Sequence, residues 1–276
     1  MSENKIKKQL LYIDDITVDF DGFKALNKLT HLVFYKSMQA IVGPNGAGKT
    51  TFMDIITGRT KPTSGRLFYK DNINLLKYDE SSIVKLGIAR KFQKPSIFPD
   101  QDVLENLRLA AFRKKNIFNS IFFSQKNLDN KFIDDVVQQI GLEDFIKKKA
   151  GSLSHGQKQW LEIGMLLAQE AELLMLDEPV AGMTDEERIR TSELLRRISQ
   201  EKTIIVIEHD IDFVQSLDCP VTVLNEGSVL AEGTMSDLKK NQDACATFTK
   251  LAKDYPDASE NIKKHLKREF QRSRCK

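Results

Sequence analysis

What this chain lacks narrows its class before any motif is read. No run approaches the roughly 18 consecutive apolar residues of a membrane-spanning helix, so no segment reads as crossing a bilayer. Residues 1–8 are polar and carry lysines without an apolar core, so no secretory signal is expected there. Neither sign of charge dominates: 42 basic against 39 acidic residues leave +3, and no nucleic-acid footprint is expected. Of the 3 cysteines, Cys219, Cys245 and Cys275, none stands at close metal-ligand spacing; they suit a reducing compartment. No internal repeat and no sustained heptad occurs. The length is ample for a substantial core.

Against these absences stands one strong motif. Gly43-Pro44-Asn45-Gly46-Ala47-Gly48-Lys49-Thr50 is a G-x-x-x-x-G-K-[ST] phosphate loop, followed by Thr51. Gln39 to Val42 before it is a short apolar run that reads as a buried strand. Phe52, Ile55 and Ile56 after it recur at helical spacing. A glycine-rich turn between strand and helix aims backbone N–H groups and the positive end of the helix dipole at an anion. Lys49 is then expected to reach the β- and γ-phosphates of ATP, and the Thr50 hydroxyl to hold Mg²⁺. A second apolar run, Glu172 to Leu176, delivers Asp177 and Glu178 at its end, where parallel sheets present ligands. Asp177 is expected to hold Mg²⁺ through water, and Glu178 to polarise the attacking water.

Leu153-Ser154-His155-Gly156-Gln157 resembles the signature of the ABC ATPases, and residues 10–236 resemble the ATP-binding subunit of an ABC transporter. The resemblance extends to His209 in Val206-Ile207-Glu208-His209-Asp210, at the position of the switch histidine that senses the γ-phosphate. It extends to Gln93 in Arg90-Lys91-Phe92-Gln93, at the position of the glutamine that links metal or water to the membrane partner. Ala181-Gly182-Met183-Thr184-Asp185 occupies the D-loop position, and Phe20 that of an aromatic stacked on adenine. The resemblance implies an α/β fold: an ABC-type P-loop NTPase with a RecA-like parallel core, an antiparallel β subdomain and an inserted helical subdomain over about 94–152. It also implies ATPs clamped between this chain and a second ABC ATPase subunit, with Ser154, Gly156 and Gln157 serving the nucleotide held opposite. Gln93, Lys94, Pro95, Ser96, Ile97 and Phe98 would face transmembrane permease subunits at the cytoplasmic side of the membrane, fed by a substrate-binding protein.

The stretches 43–58, 86–95, 153–165 and 177–185 look like the ATPase of urea uptake systems, whose nearest relatives serve branched-chain amino acids. Urea is therefore the expected substrate, with branched-chain amino acids or short amides as the alternative. A soluble ABC ATPase acting on ribosomes or DNA is disfavoured by the single phosphate loop and single signature. A non-hydrolysing scaffold is disfavoured by the presence of both Glu178 and His209.

The remaining readings are coarser. Leu11 to Phe20, Gly65 to Tyr69, Thr203 to Ile207 and Ser228 to Glu232 read as strands, the last behind an Asn225-Glu226-Gly227 turn. Leu128, Phe132, Val136 and Ile140 mark a helix stopped by Gly141, and Trp160, Ile163 and Leu167 mark another. Two departures from the family remain. His155 stands where the common signature has glycine, and its effect is expected to be neutral. Residues 241–276 replace the family's short ending with a mildly basic tail, in which Asp257 and Glu260 could cap a helix with Ile262, Leu266 and Phe270 on one face; it is expected to be solvated or poorly ordered, with contact to acidic lipid or a partner subunit as the alternative.

Overall fold

Five-residue runs in which every position is apolar or nearly so cannot lie at a surface, and here they form the centre of a parallel sheet. The structure, a computed structural model, describes residues 8–91, 96–112 and 130–254. Strands β3 (Met38–Val42), β7 (Leu173–Asp177) and β8 (Thr203–Ile207) are buried at every position, as strands covered on both faces must be. With β6 (Ile88–Lys91), β9 (Val221–Asn225) and β10 (Ser228–Gly233) they build a sheet of order β10-β9-β3-β8-β7-β6, parallel except for the β9–β10 hairpin. The hairpin turn is Glu226-Gly227, both at positive φ (49° and 75°), as a two-residue turn of this hand requires.

A second sheet is antiparallel, in the order β2-β1-β4-β5, from β1 (Gln9–Phe20), β2 (Phe23–Phe34), β4 (Ser64–Tyr69) and β5 (Ile73–Asn74). Its strands alternate buried and exposed positions over much of their length, and the buried face meets the parallel sheet across α1 (Lys49–Ile56). The short α2 (Glu80–Lys85) leads into β6.

The opposite face of the parallel sheet is covered by α5 (His155–Ala168) and α6 (Asp185–Ile198), and α3 (Val103–Phe112) and α4 (Asn130–Ile140) pack on α5. The stripe expected on α4 is corrected by the structure: Ile133, Val136, Val137 and Ile140 are buried, while Phe132 is only partly so. An every-fourth pattern drifts by about 40° per step on a helix of 3.6 residues per turn, so the core takes the i, i+3, i+4, i+7 stripe instead. Leu128 lies outside the described residues. Gly141, at φ 68°, ends the helix as its sequence position suggests.

Beyond α7 (Ile211–Ser216) and α8 (Met235–Leu238), residues 242–254 form α9 (Gln242–Asp254). Ala244 and Phe248 of α9 are buried against Val221 and Val223 of β9, so the folded unit runs past residue 240. Asp257, Glu260, Ile262, Leu266 and Phe270 lie outside the described residues.

Candidate nucleotide site

The phosphate loop is built by steric exclusion. At Gly43 a Cβ would stand 2.4 Å from the Leu224 carbonyl oxygen, so only glycine lets β3 pass β9 at that height. Gly48 has φ 98° and caps α1 without a side-chain acceptor, leaving the first N–H groups of the helix to the loop. The loop is braced from far along the chain: the Gly227 N–H donates to the Ala47 carbonyl (3.1 Å), and the Gly227 carbonyl accepts from the Asn27 N–H (2.9 Å). Lys49 Nζ donates to the carbonyls of Gly43 (2.6 Å) and Pro44 (3.0 Å), holding the ammonium across the loop mouth.

A pocket of about 200 Å³ gathers Asn45, Gly46, Ala47, Gly48, Lys49, Thr50 and Thr51 with Asp177 and Glu178. Gly43 and Pro44 do not line it and meet it only through Lys49. Ser154, Gly156 and Gln157 do not line this pocket, and neither does Phe20. Phe20 pairs in register with Phe23 across the Asp21-Gly22 turn, both are largely exposed, and it is Phe23 that borders the phosphate loop. Gln93, Lys94 and Pro95 lie outside the described residues.

The two carboxylates sit in opposite surroundings. Asp177, at the end of β7, is buried, and burial raises its pKa against the pull of Arg90, whose guanidinium lies 3.2 Å away. Arg90 also holds Asp54 of α1, so one cation joins β6, β7 and the helix of the phosphate loop. Glu178 adopts φ 46°, a left-handed turn that reaches Oε1 to within 3.3 Å of His209 Nδ1. The His209 hydrogen bond lowers the Glu178 pKa, outweighing its burial. Burial pulls His209 down, but the Glu178 hydrogen bond and the charges of Glu208, Glu178 and Asp210 together raise it. Among the described residues no cluster of three or more His, Cys, Asp or Glu could cage a metal. One hydroxyl (Thr50) and one carboxylate (Asp177) beside a phosphate cradle instead suit Mg²⁺, which keeps waters and completes its shell with substrate phosphates.

The signature stretch forms the N-terminus of α5. Ser154 Oγ accepts from the Gln157 N–H (3.2 Å) while Gln157 Oε1 accepts from the Ser154 N–H (2.9 Å), a reciprocal capping box. At Gly156 an added Cβ would fall 2.4 Å from the Glu187 carboxyl group, so no side chain fits without displacing it.

Three residues that sequence reasoning passed over matter here. Lys91 and Glu162 form a buried ion pair (3.6 Å) between β6 and α5, and the Glu162 carboxylate also accepts from the Ser96 N–H just beyond residues 92–95. Glu208, 1% exposed, accepts backbone N–H bonds from Val180 (3.2 Å), His209 (3.0 Å) and Asp210 (3.4 Å), joining the D-loop side of β7 to the switch loop. A carboxylate directly after a fully apolar central strand is the signal that would have found it, as it found Asp177.

Burial pushes the Glu208 carboxyl from 4.5 up to about 7, against the opposing pull of His209 and the three N–H groups. The folded protein therefore keeps a proton that the unfolded chain releases. The stability this carries is complete below pH 4.5 and is lost as pH rises to about 7. The raised His209 acts in the same direction, since its contribution also fades with rising pH. Glu208→Gln turns an NH₂ group toward one of the backbone donors and is expected to cost about 1–3 kcal/mol. In denaturant titrations the wild-type margin is expected to be largest near about pH 5 and to narrow toward pH 7. A margin that grows with pH would contradict this ionisation.

Comparison with known proteins agrees with this geometry. The family model for ABC transporters matches residues 26–181. The high-affinity branched-chain amino acid transport ATP-binding protein LivG of Escherichia coli K12 is 30% identical over 252 residues, covering 88% of this chain and 98% of that protein. BraF of Pseudomonas aeruginosa, described in the same words, shows the same identity and coverage. Among solved structures, the ADP conformation of an ABC transporter ATP-binding cassette superposes with a TM-score of 0.75 at 26% identity, covering 87% of this chain and 98% of that one. The cbiO1 subunit from Clostridium perfringens gives 0.73 at 29% identity, over 87% and 94% of the two chains. A phosphate loop, a buried Asp177, Glu178 against His209 and a capped signature helix on this cassette thus have one common explanation: the chain belongs to the ABC transporter family, as an ATP-hydrolysing subunit.

Proposed function

We propose that this chain energises a solute importer of the branched-chain amino acid class from the cytoplasmic face of the membrane. The observation that carries the reading is the 30% identity to LivG and BraF over nearly their whole lengths. Two ATPs are held between this chain and a second ATPase subunit. Each lies on the phosphate loop of one chain, opposite Ser154, Gly156 and Gln157 of the other. The separation of those residues from the phosphate pocket supports this arrangement. No helix among the described residues is long and apolar enough to cross a membrane, which accords with permease subunits being separate chains. Ser96, Ile97 and half-exposed Phe98 belong to the surface we assign to them, and Gln93 to Pro95, which precede them in sequence, are assigned the same role. The solute itself is met by the permease and a substrate-binding protein.

Within the site the tasks divide among the residues. Asn45 to Thr51 bind the phosphates through backbone N–H groups, Lys49 and the Thr50 hydroxyl. Thr50, Asp177 and Gln93 would hold Mg²⁺, which would supply positive charge to offset that of the phosphates. Glu178 takes up the proton of the attacking water, and His209 orients that carboxylate and follows the γ-phosphate. Phe23 is the stacking platform for adenine. Phe23→Ala is expected to weaken ATP binding by about 1–3 kcal/mol, the worth of one aromatic–base stack, with a smaller effect of Phe20→Ala. Titration of a fluorescent ATP analogue ranks the two, and the reverse order would return the role to Phe20.

Urea remains the second reading, favoured by the run Ser154 to Trp160 and its continuation to Met165. Uptake of labelled leucine and labelled urea by a deletion strain separates the two. The expected result is loss of leucine uptake, reproduced by Glu178→Gln and so tied to hydrolysis. Loss of urea uptake alone would move the assignment to urea and leave the ATPase assignment standing.

A further inference from the structure

His155 is the signature residue for which the nucleotide site has no use. Its ring does not point away from the chain toward a nucleotide held opposite. It turns back on its own chain: Nε2 lies 2.9 Å from the Ala181 carbonyl oxygen. A nitrogen facing a carbonyl must carry the proton, so the imidazole donates from Nε2. Gly182 passes beneath the ring at φ 71°, close enough that an added Cβ would stand 3.4 Å from Cδ2 and Nε2. Gln159, one turn along α5, brings its side-chain amide to 3.3 Å from the same nitrogen.

This contact is the first of a series along one seam. Ser154 Oγ donates to Glu187 Oε1 (3.3 Å), and Glu187 Oε2 accepts from the Thr184 N–H (3.1 Å). Further in, Trp160 Nε1 donates to Thr191 Oγ1 (2.9 Å). The deeper contacts fix α6 against α5. They do not reach Ala181 and Gly182, which are exposed and have glycine's freedom between them. Glycine at 155 would leave that part of the loop without its tie to the signature.

We propose that His155 is a positioning residue that fastens the chain's own D-loop to its own signature loop, so that both are presented to the second ATPase as one rigid edge. The clamp is a property of the single chain. Its effect on pairing rests on the two-subunit reading proposed above. On this account the departure at 155 is not neutral. The ring replaces freedom at Ala181-Gly182 with a fixed backbone, which lowers the ordering cost when the two subunits close.

The test uses the full chain as wild type, His155→Ala and His155→Gln. Hydrogen exchange read on a peptide spanning 179–185, without nucleotide, is expected to quicken about fivefold in His155→Ala, the equivalent of one ordinary hydrogen bond. His155→Gln, whose amide N–H can reach the same carbonyl, is expected to restore it. Affinity for a fluorescent ATP analogue is expected to stay at the wild-type value and the thermal midpoint to fall by no more than about 2–4 °C, whereas a general loss of structure would lower both further. Unchanged exchange in His155→Ala overturns the clamp. In a Glu178→Gln background, gel filtration across an ATP series then reads pairing, and His155→Ala is expected to need about fivefold more ATP. Faster exchange with unaltered pairing overturns the functional half of the proposal. Failure of Glu178→Gln itself to pair counts against self-pairing of this chain, while the exchange result still decides the clamp.

Discussion

Glu178→Gln is expected to bind ATP as the wild type does and to hydrolyse it about 10²–10⁴-fold more slowly, the usual worth of a positioned general base. The geometry makes this substitution unusually clean. The side chain leaves a left-handed turn at φ 46° and meets His209 at 3.3 Å; glutamine keeps the length and retains an oxygen for that contact. What it loses is the ability to take a proton. The Glu178 pKa lies below the ordinary 4.5, so the carboxylate is ionised and ready throughout the neutral range. Phosphate release measured beside nucleotide binding checks the prediction. Near-normal turnover would remove Glu178 from the reaction and leave the adjacent Glu208 as the carboxylate to examine.

Lys49→Ala is expected to abolish useful ATP binding, on the order of 10²–10⁴ in Kd, since charge-assisted hydrogen bonds are each worth about 1.5–3 kcal/mol and two phosphate groups lose theirs. The loop itself also suffers. Lys49 donates to the carbonyls of Gly43 and Pro44, and among the described residues no other cation lines the pocket. Arginine is not a substitute here. Its planar fork spreads its donors in one plane and needs acceptors to match, whereas the ammonium serves carbonyls and phosphates from a single point. Calorimetric titration with ATP separates the two variants: Glu178→Gln binds without turnover, and Lys49→Ala does neither. Retained affinity in Lys49→Ala would mean that the backbone N–H groups alone carry the phosphates.

Much of this was legible in the residues because a doubly covered parallel strand is nearly pure apolar sequence, against which the polar residues at its carboxyl end stand out. Gly43 to Thr50 after β3, and Asp177 and Glu178 at the end of β7, were visible this way, whereas His209 beyond β8 was singled out only by the family resemblance. Contacts between distant segments were not. Glu208 draws its N–H partners from residue 180 as well as from its neighbours, and Lys91 meets Glu162 only after α5 has packed on β6. Phe20 and Phe23 flank one turn and are both largely exposed, so spacing alone could not say which one borders the phosphate loop. Helix α9 escaped because Ala244, Thr247 and Phe248, its buried positions among residues 242–248, stand in an otherwise polar stretch.

The brace of the phosphate loop also sets an order on the making of the protein. Ala47 hands its carbonyl to Gly227, and that residue in turn secures Asn27, so a turn coded late closes a loop coded early. While the chain leaves the ribosome from its amino end, β1, β2, β3 and α1 emerge long before β9 and β10 do. The nascent chain therefore carries every residue of the G-x-x-x-x-G-K-[ST] motif through most of translation without the wall that shapes it. The nucleotide pocket matures only when the Glu226-Gly227 hairpin has been released. A message cut short of that codon yields the motif and no finished pocket.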